Sequence, residues 1–302
     1  MSGNACRMGT MTERAASRTA VLVCQARAVA DGRLAVGAFS DPVARELLDA
    51  EELELVDHVR GDQPPADAGE RLGYELLRRA AVTIVPRTIA IDRAVREHHP
   101  DQVVILGAGL DTRTWRMPEL GHAEVFEVDH PSSQRDLLER IGMRHPLAHR
   151  LAQVPVDLAN QALAPGLIDA GFDTLAVTTW IWEGVIPYLT EPQVLATLRQ
   201  VSALSSPGSR LVASYQARSL STAALRSAMR LVLRVSRQPD PLADEPWRSL
   251  WRPADLRTLL HQNRFEVEAD DDLLTLADGL GLPVEGNGGS LRNGRVAIAT
   301  RR

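Results

Sequence analysis

The stretch VVILGAGLDTRTWRM, residues 103–117, decides the fold. Four apolar residues run into Gly107-Ala108-Gly109, the pattern of a buried strand that ends in a tight turn. Glycines in such a turn let the backbone come close to a ligand. A dinucleotide-binding turn would carry a third glycine where this chain has Thr112, and an acid, Asp111, precedes it. The stretch therefore predicts a nucleotide-binding type of α/β fold whose ligand is not a typical dinucleotide.

The composition excludes several classes of protein and several kinds of catalytic site. The chain has 302 residues and a formal net charge of −5, which argues against a general nucleic-acid binder. All 34 basic residues are arginine, so Schiff-base lysines, Walker lysines and Tyr-x-x-x-Lys pairs are excluded. Two cysteines, Cys6 and Cys24, cannot form a disulfide framework, and no apolar run approaches the roughly 20 residues of a membrane span. These features predict a cytoplasmic protein with no membrane partner and no nucleic-acid partner.

The first hundred residues have helical patterns. Residues 40–53 read as one helix, with Asp41 as its N-cap and Pro42 in its first turn. Residues 66–99 carry a long helical pattern in which Pro86 predicts a break.

From residue 102 onward, short apolar runs alternate with helical stretches. Covered parallel strands carry apolar runs without clean alternation, and β-α alternation predicts a mostly parallel sheet with helices on both sides. Seven runs are candidate strands: residues 102–107, 123–129, 152–158, 173–182, 209–216, 264–270 and 295–300. One connector, residues 217–251, is oversized and reads either as a cap over the site or as an ordinary packing helix followed by a loop.

Four consecutive candidate strands end in glycines or in an acid. The glycine turn follows the first, Asp129 the second, Asp157 the third and Glu183 the fourth. In open α/β sheets the ligand lies beyond the carboxyl ends of the strands, so these residues are expected in one crevice. Each feature alone is weak, because a strand-terminal aspartate is often a helix cap. Their shared register predicts a binding site.

The charges expected in this crevice favour a positively charged nucleoside as the ligand. Asp111 and Glu183 would repel a pyrophosphate, whereas they would attract a nucleoside that carries a positive charge. S-adenosylmethionine combines a ribose, an adenine, a sulfonium, an ammonium group and a carboxylate. Its carboxylate needs an arginine partner, for which Arg87 and Arg113 are the candidates.

These residues resemble a known family. VVILGAGLDTRTWRM, EVDHP, VPVDL and WEGVIPYLT, together with the upstream residues 17–48 and 86–95, resemble the leucine carboxyl methyltransferase family, and most closely its bacterial branch with the tetracenomycin-type polyketide O-methyltransferases. The resemblance implies a single α/β, Rossmann-like class I methyltransferase domain over residues 1–302. It implies a helical N-terminal extension (1–100), a cofactor-binding core (101–216), a cap insertion (217–251) and the C-terminal part of the sheet (252–302).

The resemblance also implies roles for single residues. Arg87 resembles the arginine that holds the cofactor carboxylate, and Glu183 resembles the acid that faces the amino group. Asp129 matches the ribose-binding acid, while Asp157 and Leu158 match the pair beside adenine. Arg27 falls near a basic position of the family's N-terminal segment. The predicted set of cofactor contacts is Arg87, Gly107, Ala108, Gly109, Asp111, Arg113, Asp129, His130, Asp157, Leu158 and Glu183.

The acceptor remains open between two oxygen nucleophiles. A carboxylic acid is already ionised at neutral pH and needs no base, whereas a phenol, with a pKa of roughly 10, needs one. His145 and His149 lack partners for a metal site, so no metal is expected. No convincing base is visible, which favours a carboxylate, such as a polyketide or another secondary-metabolite acid, with Tyr188 and Tyr215 as candidate substrate contacts. Two alternatives stay open: an NAD-dependent oxidoreductase, and an inactive binding protein on the same fold.

Overall fold

The described parts of the chain form one α/β unit. The computed structural model describes residues 18–218, 247–284 and 286–302, and seven strands within these ranges form one sheet. The strands are β1 Gln102–Leu106, β2 Glu124–Asp129, β3 Arg150–Pro155, β4 Thr178–Trp182, β5 Arg210–Gln216, β6 Phe265–Asp272 and β7 Gly294–Arg301. Each of the seven strands predicted from the sequence is confirmed.

The order of the strands defines the fold class. It is β3-β2-β1-β4-β5-β7-β6; strands β1 to β5 pair in parallel, and β7 runs antiparallel to both of its neighbours. The chain leaves β1 toward one edge of the sheet and returns to build the other half from β4 onward. Ligands of open α/β sheets bind where this reversal occurs, at the carboxyl ends of β1 and β4. The arrangement confirms a Rossmann-like, mostly parallel seven-stranded sheet.

Helices cover both faces of this sheet. Within the described ranges they are α1 Arg18–Ala30, α2 Val43–Glu46, α3 Ala50–Arg60, α4 Ala68–His98, α5 Arg113–Arg116, α6 Pro131–Ile141, α7 Leu163–Asp169, α8 Glu191–Leu204, α9 Pro253–Gln262, α10 Leu273–Gly279 and α11 Gly288–Asn293. The named secondary-structure elements within residues 18–98 are therefore all helices. No helix in the described ranges has both the length and the hydropathy that crossing a membrane requires.

Alternate residues of the central strands pack against different helices. Val104, Leu106, Trp180 and Trp182 belong to the buried cluster that also contains apolar residues of α7, α8 and α9. Their neighbours in the strands, such as Ile105, pack in the cluster that contains residues of α4 and α10. All residues of β1 and β4 are buried, which explains why their sequences are apolar runs rather than alternating patterns.

The prediction of one helix over residues 40–53 is wrong. The segment forms α2 and α3, and Asp49 begins the second helix with a capping box in which it exchanges hydrogen bonds with Glu52. Asp41 caps the first helix as expected, since its carboxylate accepts a hydrogen bond from the Ala44 N–H at 3.1 Å. The local pattern does not separate the two helices, because an aspartate such as Asp49 can cap a new helix or lie within a continuing one.

The predicted break at Pro86 is also wrong. Helix α4 continues through Pro86 and has 31 residues. A proline inside a helix removes one backbone hydrogen bond and costs about 3 kcal/mol. The helix tolerates this loss because Pro86 and Val85 are buried against the rest of the protein, and apolar packing favours one continuous helix. Arg87 consequently lies in the middle of α4, on the side that faces the sheet.

The predicted cap insertion lies mostly outside the described residues. Its two ends are described, and they lie side by side, because Ala217 forms a bridge with Trp251 and the Trp251 N–H donates to the Gln216 carbonyl at 3.1 Å. The described ends of this segment therefore lie together at the carboxyl end of β5.

Candidate active site

The predicted site residues lie at one edge of the sheet. The glycine turn follows β1, Asp129 ends β2, Asp157 follows β3 and Glu183 follows β4. These four strands are adjacent and parallel, in the order β3, β2, β1, β4. Their carboxyl ends therefore form a continuous rim, with the glycine turn and Glu183 on either side of the point where the strand order reverses.

The turn after β1 favours glycine at two positions. Gly107 has a φ of 67° and Gly109 a φ of 54°, the left-handed region that other residues rarely adopt. A Cβ atom on Gly107 would lie 2.3 Å from Cγ2 of Val185, so the turn packs directly against the loop that follows Glu183. The three residues of Gly107-Ala108-Gly109 are half-buried at the carboxyl end of β1.

Asp129 is connected to this turn. Its Oδ2 accepts a hydrogen bond from the Gly109 N–H at 2.6 Å, and its Oδ1 accepts one from the His130 N–H at 2.6 Å. Burial raises the pKa of the Asp129 carboxyl, although these two N–H groups act in the opposite direction. The Ser133 side chain also donates to this carboxylate, which has about four lone pairs in all, so acceptor capacity is left for a ribose hydroxyl.

The polar residues predicted near the adenine, Asp157 and His130, form hydrogen bonds with neighbouring residues of the chain. Asp157 uses its carboxylate in its own turn, where it accepts bonds from the Ala159 N–H at 2.9 Å and the Asn160 side chain at 2.7 Å. Leu158 is half-buried beside it. His130 is exposed and acts as the N-cap of α6, where its Nδ1 accepts from the Ser132 N–H.

Glu183 lies between two arginines. Arg87 Nε is 2.7 Å from its Oε1, and Arg113 Nη1 is 2.8 Å from its Oε2. Burial alone would raise the pKa of Glu183, but Arg113, Arg87 and Arg27 outweigh it and lower the pKa to about 2. The side chain is 9% exposed, so an ionised carboxylate lies at the wall of the crevice with lone pairs left for a cation.

Arg87 presents an open edge to the crevice. Only its Nε is engaged, by Glu183, and neither terminal nitrogen has a hydrogen-bond partner among the described residues. Both terminal nitrogens lie about 4 Å from the position that a Cβ on Gly184 would take, and the side chain is 13% exposed. A guanidinium held by Nε can bind a carboxylate with its two Nη groups.

Arg113, the other candidate for the cofactor carboxylate, is enclosed by protein. It is 1% exposed, and it contacts Asp92 through Nε at 2.7 Å and both Asp111 and Glu183 through Nη1. Asp111 is likewise buried and paired inside the protein. Of the two arginines, Arg87 is the one with open terminal nitrogens, and the cofactor contact of Arg113 stays a prediction.

A buried layer of charge beneath the site was not predicted. Asp92 of α4 accepts hydrogen bonds from Arg113 and Arg116, and Asp41 lies 3.0 Å from Arg27 Nε. Arg27 is 3% exposed and also donates to the Leu110 carbonyl. The sequence contains a sign of this layer, since Asp92 lies between the apolar residues Ile91 and Ala94 of a long helical pattern.

The two candidate tyrosines are in different surroundings. Tyr215 is 2% exposed, and its hydroxyl lies 2.9 Å from both oxygens of Asp270, which also binds Arg295. Its hydroxyl is thus used in a contact inside the protein, and the role of Tyr215 as a substrate contact stays a prediction. Tyr188 is half-buried in the short 3-10 helix Ile186–Tyr188, just beyond Glu183.

The end of the cap insertion returns to this same loop. The N–H groups of Arg248 and Ser249 donate to the Pro187 carbonyl, at 2.6 and 3.3 Å, and the Ser249 hydroxyl donates to the Ile186 carbonyl at 2.9 Å. The insertion therefore joins the rim of the site beside Tyr188. In the described ranges, no three metal-ligating side chains come together as a metal site.

Comparisons with known proteins agree with this geometry. The model of the leucine carboxyl methyltransferase family matches residues 20–202. A protein of Mycobacterium sp. (strain KMS), named as an S-adenosyl-L-methionine-dependent methyltransferase, is 35% identical over 207 residues, which are 64% of this chain and 64% of that protein. One of Mycolicibacterium vanbaalenii with the same name is 44% identical over 115 residues, 37% of this chain and 38% of that protein. The match thus spans less than two thirds of the length of these relatives.

Solved structures show the same fold at low identity. A DUF574 family protein from Streptomyces avermitilis superposes with a TM-score of 0.56 and 14% identity, over 95% of this chain and 98% of that one. A protein from Bordetella parapertussis superposes with a TM-score of 0.53 and 16% identity, over 97% and 99%. Since the family model covers more than half of the residues, the chain belongs to the leucine carboxyl methyltransferase family.

Proposed function

We propose that this protein is an S-adenosylmethionine-dependent O-methyltransferase that forms a methyl ester on a small carboxylic acid. The observation that carries the proposal is the pairing of Arg87 with Glu183 at the carboxyl ends of β1 and β4. The two side chains offer a cation with an open edge and an ionised acid within one crevice. An amino acid brings a carboxylate and an ammonium group, so the pair complements both ends of its zwitterion.

The remaining residues of the rim fit the rest of this cofactor. Asp129 has acceptor capacity for ribose hydroxyls, and the glycine turn places backbone rather than side chains beneath the ligand. Asp157 and Leu158 lie at the far end of the rim, where the adenine is proposed to bind. When bound, S-adenosylmethionine supplies a methyl group on a sulfonium that an oxygen nucleophile can attack.

The protein contributes to such a reaction by holding the cofactor in one orientation and by excluding water. Arg87 and Glu183 fix the amino-acid end of the cofactor, and Asp129 fixes its ribose, so the methyl group keeps one orientation toward the acceptor. Alignment of this kind supplies a large part of the acceleration in enzymatic group transfer. An anionic acceptor and a sulfonium neutralise each other, so a surrounding with little water favours the transfer.

The placement of the histidines supports a carboxylate as the acceptor. All eight lie within the described residues, and six of them precede a strand at the opposite edge of the sheet: His98, His99, His122, His145, His149 and His261. His58 belongs to α3, and His130 caps α6. A phenol would need a base within hydrogen-bond reach, whereas a carboxylate is already ionised.

Calorimetric titration of the protein with S-adenosylhomocysteine and, separately, with NADH tests the cofactor. We expect binding of the first and none of the second. Binding of NADH alone would favour an oxidoreductase, and binding of neither would favour an inactive protein on this fold.

The acceptor is tested with methyl-labelled cofactor and a panel of carboxylic acids and phenols. We expect label in the product of a carboxylic acid and its release in mild base, because esters hydrolyse where aryl ethers survive. A base-stable labelled product would contradict the ester and indicate a phenolic acceptor.

A further inference from the structure

Arg113 occupies a central position below the proposed cofactor site. Its side chain is 1% exposed and contacts three carboxylates: Asp92 through Nε at 2.7 Å, and Asp111 and Glu183 through Nη1. Its remaining nitrogen, Nη2, is buried without a hydrogen-bond partner. An arginine that is so enclosed cannot reorient, so the position of each partner depends on it.

The contacts of Arg113 complete a ring around Glu183. Helix α4 supplies Arg87 and, five positions later, Asp92. Arg87 holds Oε1 of Glu183, Arg113 holds Oε2, and Asp92 in turn holds Arg113. Asp92 is 3% exposed. Each oxygen of Glu183 is thus held by a different guanidinium, and both guanidinium groups are tied to the same helix.

The two arginines of this ring have different freedom. Arg87 has an open edge, and in the proposed function its charge is shared with the cofactor carboxylate once the ligand binds. Glu183 must nevertheless stay ionised to attract the ammonium group. Arg113 has no open edge, so it remains a permanent counter-ion of Glu183 in the free and in the bound protein.

We propose that Arg113, anchored by Asp92, is a positioning residue that keeps the Glu183 carboxylate charged and oriented for the ammonium group of the cofactor. This inference rests on the proposed function. A purely structural role is the competing explanation, since Arg113 also connects the N-terminal helices to the sheet. The two explanations differ in how cofactor affinity depends on pH.

The charged groups around Glu183 determine that dependence. Besides Arg113, they are Arg87 on α4, Arg27 on α1 and Asp111 in the loop after β1. With all three arginines present, Glu183 has a pKa of about 2 and stays ionised at every working pH. Without Arg113, burial and Asp111 both act to raise the pKa of this carboxyl.

The experiment measures the affinity of the full chain for S-adenosylhomocysteine by calorimetry between about pH 5 and pH 8, for Arg113→Gln and Arg113→Lys. We expect Arg113→Gln to bind at least about tenfold more weakly than wild type and to lose further affinity as the pH falls, because Glu183 becomes protonated. Arg113→Lys keeps the charge and should restore a profile parallel to that of the wild type. The double variant Arg113→Gln, Glu183→Gln should lack the added pH dependence.

Two results would overturn the inference: an unchanged affinity of Arg113→Gln, or a loss that is the same at every pH. If Arg113→Gln does not fold, the same titration is made with Asp92→Asn. We expect this variant to bind S-adenosylhomocysteine several-fold more weakly than wild type, and an unchanged affinity would contradict the inference. A wild-type protein that binds no S-adenosylhomocysteine would instead contradict the proposed function, so the two failures are distinguishable.

Discussion

Arg87 and Glu183 are 96 positions apart in the chain, and their side chains meet at 2.7 Å between Nε and Oε1. One comes from the middle of the long helix α4 and the other from the end of the central strand β4. This contact joins the N-terminal helices to the rim of the sheet at the point where its strand order reverses. It uses only one side of the guanidinium, so the pair can bind a zwitterion without first separating.

We expect Arg87→Ala and Glu183→Gln each to weaken the binding of S-adenosylhomocysteine. Each variant removes a charge-assisted hydrogen bond worth about 1.5–3 kcal/mol, which corresponds to roughly 10- to 150-fold in the dissociation constant. Calorimetric titration measures the change. Arg93→Ala is the matched control, because Arg93 lies on the same helix, is 76% exposed and pairs only with Glu97. If both site variants bind as the control does, the proposed orientation of the cofactor is wrong.

Gly107→Ala should lower both the stability and the cofactor affinity. An added Cβ would lie 2.3 Å from Cγ2 of Val185, so the loop after Glu183 would have to move. Gly32→Ala separates this effect from backbone strain, since Gly32 has a similar φ of 68° but no atom within 4 Å of the added Cβ. Both variants should lose roughly 1–2 kcal/mol from the left-handed backbone, and Gly107→Ala should lose more. Equal unfolding temperatures of the two variants would contradict the close packing at Gly107.

The rim of the site could be predicted because its residues directly follow apolar runs. Gly107, Asp157 and Glu183 follow a strand and Asp129 ends one, and parallel strands bring such positions to one edge. The position of a residue along a strand is a local property, and the local sequence is enough to read it.

The partners of these residues could not be predicted in the same way. Asp92 and Arg113 are 21 positions apart, and nothing in the residues between them indicates that the side chains pair. Such contacts depend on how a helix packs on the sheet, which is a tertiary property. The continuous helix at Pro86 has the same origin, because burial of the surrounding apolar residues outweighs a local preference for a break.

Tyr215→Phe should lower the stability and leave the cofactor affinity unchanged. The Tyr215 hydroxyl is within 2.9 Å of the Asp270 carboxylate, whose side chain is only 5% exposed. Loss of this donor should cost about 1–3 kcal/mol, because a buried charge loses one of its hydrogen bonds. Chemical denaturation measures the loss. Tyr74→Phe is the control, since Tyr74 is a buried tyrosine whose hydroxyl has no hydrogen-bond partner among the described residues. A Tyr215→Phe protein that is as stable as this control, or that binds cofactor more weakly, would contradict the structural role.

Glu127 provides a prediction about pH. Its carboxyl is fully buried in β2 and accepts hydrogen bonds from the Thr114 hydroxyl and the Gln153 amide, both at 2.7 Å. Burial raises its pKa to about 7, and the nearby charges of Asp111 and Asp129 add to this rise. The Gln153 carbonyl oxygen is buried without a partner, and rotation of that amide would let it accept a hydrogen bond from the O–H of a neutral Glu127.

Because the folded pKa lies above the unfolded value of 4.5, the folded protein binds this proton more tightly. The contribution to stability is complete below about pH 4.5 and is lost as the pH rises toward 7, at about 1.36 kcal/mol per pKa unit, or about 3 kcal/mol in all. Glu127→Gln keeps a neutral side chain at every pH, and the rotated Gln153 can accept from its amide. We therefore expect urea denaturation to show the variant gaining stability relative to wild type between about pH 5 and pH 8. A constant difference in the free energy of unfolding across that interval would mean that Glu127 is ionised in the folded protein throughout.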